Sequence, residues 1–331
     1  MPAHSHREPN GPAVAGADLS FLVVIEANRL EPQVLLLCES IRAFAGRYSD
    51  SAIVAVSPRP DLAVGERTRA RLAELSVRYV VEPLNLTGSP YGTVNRVVSG
   101  SWAERRLESE FVVVLDSDTM FLGEPCFDMA AVGVRPVDKK GSATSGEGDP
   151  QDVYWQAMCG LAGISPDHLP TLTTSIDRVP IRASYNGGFT IVRRGCGILA
   201  KAEAVFMDAV RADLRSLAGR NLNVHASTGL VGAEASEWWG SSQAALAVAI
   251  WSSTADVRVY DDRYNIPLHL MQDSARSWFS DPRSRPILVH YHHLCERPHR
   301  DQLRDALAKV NCAPDILDWI WARLAFFDEA E

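Results

Sequence analysis

At 331 residues, 46% of them hydrophobic and 22% charged, the chain can bury a sizeable core as one large α/β domain or two small ones. Its formal net charge of -8 weighs against nucleic acid as a partner, because binders of polyanions usually carry a basic face. The six cysteines are scattered with no Cys-x-x-Cys, which indicates neither a structural zinc site nor a disulfide framework and fits a reducing cytoplasm.

Residues 1–18 are rich in Pro, Ala, Gly and His and lack an apolar segment, so they read as a disordered tail rather than a signal peptide. No run approaches the roughly 18–20 apolar residues that cross a bilayer. Order begins at Ser20–Ile25, a continuous apolar run suited to a strand buried on both faces of a parallel sheet. A helix follows from Pro32, with Val34, Leu37, Cys38, Ile41 and Phe44 on one face. A strand at Ala52–Val56, a helix over Gly65–Leu75 and a strand at Val77–Val81 continue the alternation, which predicts doubly wound α/β structure.

A helix over Thr93–Leu107 leads into Phe111–Leu115, the most apolar strand of the chain and so expected at the centre of the sheet. Residues 138–152 are too polar and glycine-rich to build a core and read as a mobile loop of the kind that forms lids. Further helices are expected at 153–160, 196–217 and 242–251, with strands at Phe189–Val192, Val257–Tyr260 and Pro286–His290. Leu303, Leu307, Val310, Ile316, Ile320 and Leu324 fall at helical spacing and predict a C-terminal helical extension packed on the main domain.

The chemistry gathers at strand ends. Asp116 and Asp118 close the most apolar strand, where open α/β sheets bind ligands, and two carboxylates there need a compensating charge. A divalent cation supplies it; hard oxygen ligands suit Mg²⁺ or Mn²⁺ with positions left open for phosphate oxygens. Glu26 and Asn28 follow the first strand and so also lie where a substrate is expected. Asn186-Gly187-Gly188 enters a later strand with the close backbone approach that paired glycines permit.

The segment Phe-Val-Val-Val-Leu-Asp-Ser-Asp-Thr-Met-Phe-Leu-Gly-Glu-Pro resembles the Asp-x-Asp signature of GT-A glycosyltransferases. Tyr91 to Trp102 with Glu104 is similar to the helix before that signature, and Tyr185-Asn186-Gly187-Gly188-Phe189 to the donor-sugar segment of glycogenin-like members. Ser242-Gln243-Ala244-Ala245-Leu246 resembles their Asp-Gln-x-x-Leu helix, with Ser242 where Asp is usual, and Leu288-Val289-His290-Tyr291 the late strand bearing a metal-binding His. The resemblance runs in order over about residues 20–295. It implies a GT-A type, mostly parallel central sheet flanked by helices over residues 19–295, with the helical extension at 296–331.

It also implies transfer of a sugar from a nucleotide-diphosphate sugar, UDP- rather than GDP-linked, to a hydroxyl of a small molecule, glycan or protein. Asp116, Asp118 and His290 would hold Mn²⁺ or Mg²⁺, the imidazole favouring Mn²⁺. Glu26, Asn28, Asn95, Arg96, Ser117, Gly187 and Gly188 would bind the donor, and Asn186 and Gln243 would act beside the sugar. Glu237, ahead of Trp238-Trp239, is the candidate base if the anomeric centre inverts; retention needs none. His292, His293 and His299 read as surface or phosphate contacts, or as an adventitious metal cluster. Among rivals, an inactive nucleotide-sugar-binding protein of the same fold would not need the acidic pair intact. A sugar nucleotidyltransferase would want a Gly-rich loop after the first strand, and residues 26–30 contain no glycine. A metallohydrolase lacks its His-Glu-x-x-His spacing.

Overall fold

The computed structural model describes residues 18–89, 92–216, 224–226, 229–231, 238–271 and 277–328. The expected tail, but for Asp18, lies outside them.

The chain opens with β1 (Leu19–Val24), α1 (Leu30–Phe44), β2 (Ala52–Ser57), α2 (Glu66–Glu74), β3 (Val77–Val81) and α3 (Gly92–Arg106). β4 (Phe111–Leu115) and the short β5 (Thr119–Phe121) flank the Asp-Ser-Asp turn, and β6 (Val132–Pro136) follows. Then come α4 (Asp152–Leu161), a hairpin of β7 (Thr171–Thr173) and β8 (Pro180–Arg182), the long β9 (Tyr185–Arg193) and α5 (Ile198–Arg211). A second hairpin pairs β10 (Val224–Ala226) with β11 (Gly229–Val231), and α6 (Ser241–Trp251) precedes β12 (Val257–Val259), β13 (Ile266–Pro267) and β14 (Leu288–His290). The chain closes on α7 (Arg300–Lys309), α8 (Pro314–Trp321) and α9 (Ala325–Asp328).

Seven strands form the main sheet in the order β12-β6-β9-β4-β1-β2-β3, with β4 at its centre as its composition predicts. β3, β2, β1 and β4 run parallel, as do β12 and β6, while β9 is antiparallel to both β4 and β6. The structure is therefore mixed α/β with a mostly parallel central sheet and flanking helices.

Strand period sorts the core into two faces. Leu22, Val54, Val112 and Val114 face α3, α4, α5 and α6, whereas Phe21, Val23, Ile53 and Val113 face α1 and α2. The buried stripe Val34, Leu37, Cys38 and Ile41 of α1 is the one its spacing predicts. Each such side chain contributes about 1.5–3 kcal/mol through burial. α6 is apolar nearly all round and correspondingly lies in the interior.

A three-stranded sheet, β13-β14-β5, sits beside the main one. Behind it Met120, Leu122, Ile266 and Val289 share a third core with Leu303, Leu307, Val310 and Ile320, so the C-terminal helices pack on the body as their stripes predict.

Two expectations are corrected. α5 ends at Arg211 rather than 217, a residue outside those described. Residues 138–152 are a folded wall rather than a loose lid. Ser142, Ala143 and Thr144 are buried, Trp155 Nε1 donates to the Ser142 carbonyl (2.8 Å), and Asp149 accepts from Ser145 N and Gln151 N (both 2.9 Å). Its polar residues satisfy backbone groups through local turns instead of filling a core.

Candidate active site

Where β4 ends, Thr119 closes a turn on the Asp116 carbonyl through its amide (3.3 Å) and hydroxyl (2.8 Å). The turn leaves Asp116 half-buried beside a cavity and carries Asp118 completely inside. β5 then pairs antiparallel with β14, with Thr119 opposite His290, and Tyr291 N donates to the Asp118 carbonyl (2.9 Å). This register sets His290 Nε2 3.0 Å from Asp118 Oδ1. Just past β14, His292 takes a left-handed backbone (φ 53°), stacks its ring 4.3 Å from that of His290 and brings Nδ1 to 3.8 Å from Asp118 Oδ2. His269, from the turn after β13, lies 3.7 Å from the His292 ring.

Asp118, His290 and His292 each present a donor atom, all within 4.8 Å of one another. Burial pushes the Asp118 carboxyl up, but His290 and His292 outweigh it and hold it well below the usual range. Burial likewise disfavours a charged His290, yet Asp118, with Asp116 and Asp138 beyond it, pushes it up to about 9. Burial, then His292 and His290, holds His269 far below the ordinary imidazole value, so it is neutral. Asp118 Oδ2 is buried and accepts no hydrogen bond from the described residues. One carboxylate and two imidazoles around such an oxygen can hold a divalent ion, and Mn²⁺ accepts this set more readily than Mg²⁺.

Asp116 is engaged differently. Arg96 of α3 donates from Nη1 to its Oδ1 (2.5 Å) and from Nη2 to Ser242 Oγ (3.3 Å). The guanidinium lies flat against Gly187, where a Cβ would come within 2.2 Å of Nη2. Gly188 backs onto His290, whose ring a Cβ there would meet at 3.0 Å. Asn186 accepts from Gly188 N (2.9 Å) and donates to Asp138 Oδ2 (2.7 Å), while Asp138 Oδ1 accepts from Ser175 Oγ (2.8 Å).

These groups face a cavity of about 580 Å³, within the usual range for ligand pockets. Arg96, Asp116, Asn186, Gly187, Gln243 and His290 line it, opposite Trp239 and the 138–143 wall. Of the predicted site residues it gathers those six, with Asp118 just beneath. Others point elsewhere. Glu26 is buried and forms two bonds with Arg59 (2.7 and 2.6 Å) and a third with Asn95 (3.0 Å). Asn28 occupies a left-handed turn position (φ 73°). Ser117 donates to Gln33 on α1 (2.7 Å). Glu237 lies outside the described residues.

Sequence reasoning did not group His292 with Asp118 and His290, nor place His269 behind it or Asp138 beneath Asn186. The His-x-His spacing was a signal for the first; nothing in sequence marked the other two.

No curated protein matches the chain. Among solved structures it is similar to the galactosyltransferase LgtC in complex with donor and acceptor sugar analogues. The identity is 13%, the match covers 91% of this chain and 99% of that one, and the TM-score is 0.47. An active-site mutant of LgtC gives 13%, the same coverage and a TM-score of 0.48. The apo bifunctional glycosyltransferase WbbM gives 12% identity over 95% of this chain and 53% of that one, with a TM-score of 0.49. A family profile, the Rhodobacterales glycosyltransferase domain, matches residues 21–250, from β1 through α6 and over two thirds of the chain. The chain therefore belongs to the Rhodobacterales glycosyltransferase domain family.

Proposed function

We propose that this glycosyltransferase is a metal-dependent enzyme of GT-A type, glycogenin-like in its motifs, that takes a UDP-sugar and transfers the sugar to an acceptor hydroxyl. The observation that carries the reading is Asp118: a carboxylate with one unsatisfied buried oxygen, opposed by two imidazoles, beneath a ligand-sized cavity. Asp118, His290 and His292 would hold Mn²⁺ or Mg²⁺, with Asp116 facing the same cavity. Bound there, the ion stabilises the negative charge that develops on a departing nucleoside diphosphate.

The chain's own groups do the rest. Arg96, fixed between Asp116 and Ser242, presents a cation to the donor; Asn186 and Gly187 offer amide and bare backbone to sugar hydroxyls, and Gln243 borders the same space. Trp239 and the 138–143 wall border the space left for an acceptor. Glu237 is the base if the reaction inverts configuration. Glu26, bonded to Arg59 and Asn95, would support the nucleotide loop together with Asn28. Residues 19–295 form the catalytic domain and 296–331 its helical extension, and the scattered thiols suit a cytoplasmic setting.

The test is thermal unfolding with Mn²⁺ and a panel of UDP- and GDP-sugars, for the parent protein and Asp118→Ala. A ligand that binds only the native state raises the midpoint by mass action. We expect Mn²⁺-dependent stabilisation by UDP-sugars, absent in the variant. No shift with any nucleotide sugar at millimolar concentration overturns the donor-site reading.

A further inference from the structure

Beside the main cavity lies a second, smaller recess of about 40 Å³. The two meet at Arg96, Gly187, Ser242 and Gln243. Its floor is aliphatic: Val97 of α3, Val114 of β4, Leu199 and Ala202 of α5, and Leu246 of α6. Thr190 of β9 adds a hydroxyl at the sheet side. The volume exceeds the ~10–15 Å³ that a water-sized occupant needs, so one small group fits and a sugar ring does not. Water in such a space wants two to four polar partners. The floor offers Thr190, while Arg96, Ser242 and Gln243 stand at the mouth, Arg96 and Ser242 bonded to each other. An apolar group that displaces poorly held water gains affinity, and a donor hydroxyl pushed into the recess loses hydrogen bonds.

We propose that this recess receives a methyl-sized apolar substituent of the donor sugar, so that the enzyme selects donors bearing an acetamido or a 6-deoxy methyl group over the corresponding plain hexoses. The inference rests on the donor reading above, since Gly187, in the segment assigned to the sugar, lines both the recess and the main cavity. In an acetamido sugar the amide would remain at the mouth, beside Gln243, with only the methyl below.

The experiment is isothermal titration, with Mn²⁺ present, of matched donors: UDP-N-acetylglucosamine against UDP-glucose, UDP-N-acetylgalactosamine against UDP-galactose, and dTDP-fucose against dTDP-galactose. Ala202→Leu, which fills the recess without lining the main cavity, is titrated alongside. One well-seated methyl discriminates by ~10-fold or more. We expect the methyl-bearing member of at least one pair to bind that much more tightly, and Ala202→Leu to remove the preference while keeping affinity for the plain hexose donor. A preference in the UDP pairs identifies the acetamido group; one in the dTDP pair identifies the 6-deoxy sugar. Equal affinities within every pair, with plain donors binding, overturn the recess proposal and leave the donor site standing. No binding of any donor overturns both. Should Ala202→Leu fail to fold, the smaller Ala202→Val is used, with a weakened preference expected.

Discussion

A carboxylate sealed from water at the end of an apolar strand persists only beside a positive charge, and Asp118 lies between two imidazoles while Asp116 leans on Arg96. The two acids of the motif thus have unequal duties. His292→Ala is expected to weaken Mn²⁺ binding at least by the ~10-fold that loss of even an outer partner costs, read by titration calorimetry. Asp118 was singled out because strand ends mark ligand sites in open α/β sheets, and His290 through the resemblance of its strand. His292 and His269 were not, since a left-handed backbone and a separate turn bring their rings together. Nor could sequence show that Arg59 would engage both oxygens of Glu26. A second residue-scale prediction concerns Glu104 of α3, whose Oε2 accepts from Ala200 N at the start of α5 (2.8 Å). Burial raises its pKa, only partly offset by those backbone amides. The folded state therefore keeps a proton that the unfolded chain releases, and this contribution to stability, full below the ordinary carboxylate pKa, fades as pH rises through the raised value. Glu104→Gln should flatten that part of the stability profile, measured by urea unfolding at a series of pH values.

Elements were read most securely where one signal dominated. The alternating faces of β1, β2 and β4 and the stripe of α1 follow from side-chain period alone. The 138–152 segment misled because its composition is that of a loop, which it is, whereas its packing depends on Trp155 of the helix that follows and on Gly240, far along the chain. Gly240 illustrates the constraint: it precedes α6 with φ 80°, and a Cβ there would meet Ser142 Oγ at 1.9 Å. At the same scale, Glu39 on α1 is buried and accepts from Arg71 of α2 and from Arg323, between α8 and α9. Glu39→Ala leaves both guanidinium groups without that acceptor. Because Arg71 is well exposed, the expected cost is about 2–3 kcal/mol, below that of a fully buried pair, as denaturant unfolding would measure.

For the whole molecule, the C-terminal helices complete a core begun by the small sheet. Deleting residues 296–331 uncovers Met120, Leu122 and Val289 directly behind the Asp118 turn. Such a chain should be poorly soluble and lose cooperative unfolding by calorimetry, whereas an independent appendage would leave the transition intact. The apolar stripes gave the expectation that the extension packs on the domain; which core the helices share required the fold, because β13, β14 and β5 are too short to announce their pairing. That pairing also bears on the order of events during folding. Asp118 and His290 are 172 residues apart, so their meeting closes one of the longest loops in the chain, at a cost in chain entropy that local contacts do not incur. Competence to capture a cation should consequently appear with the slowest refolding phase, after helical signal has recovered, making the ion a reporter of completed assembly rather than a nucleus for it.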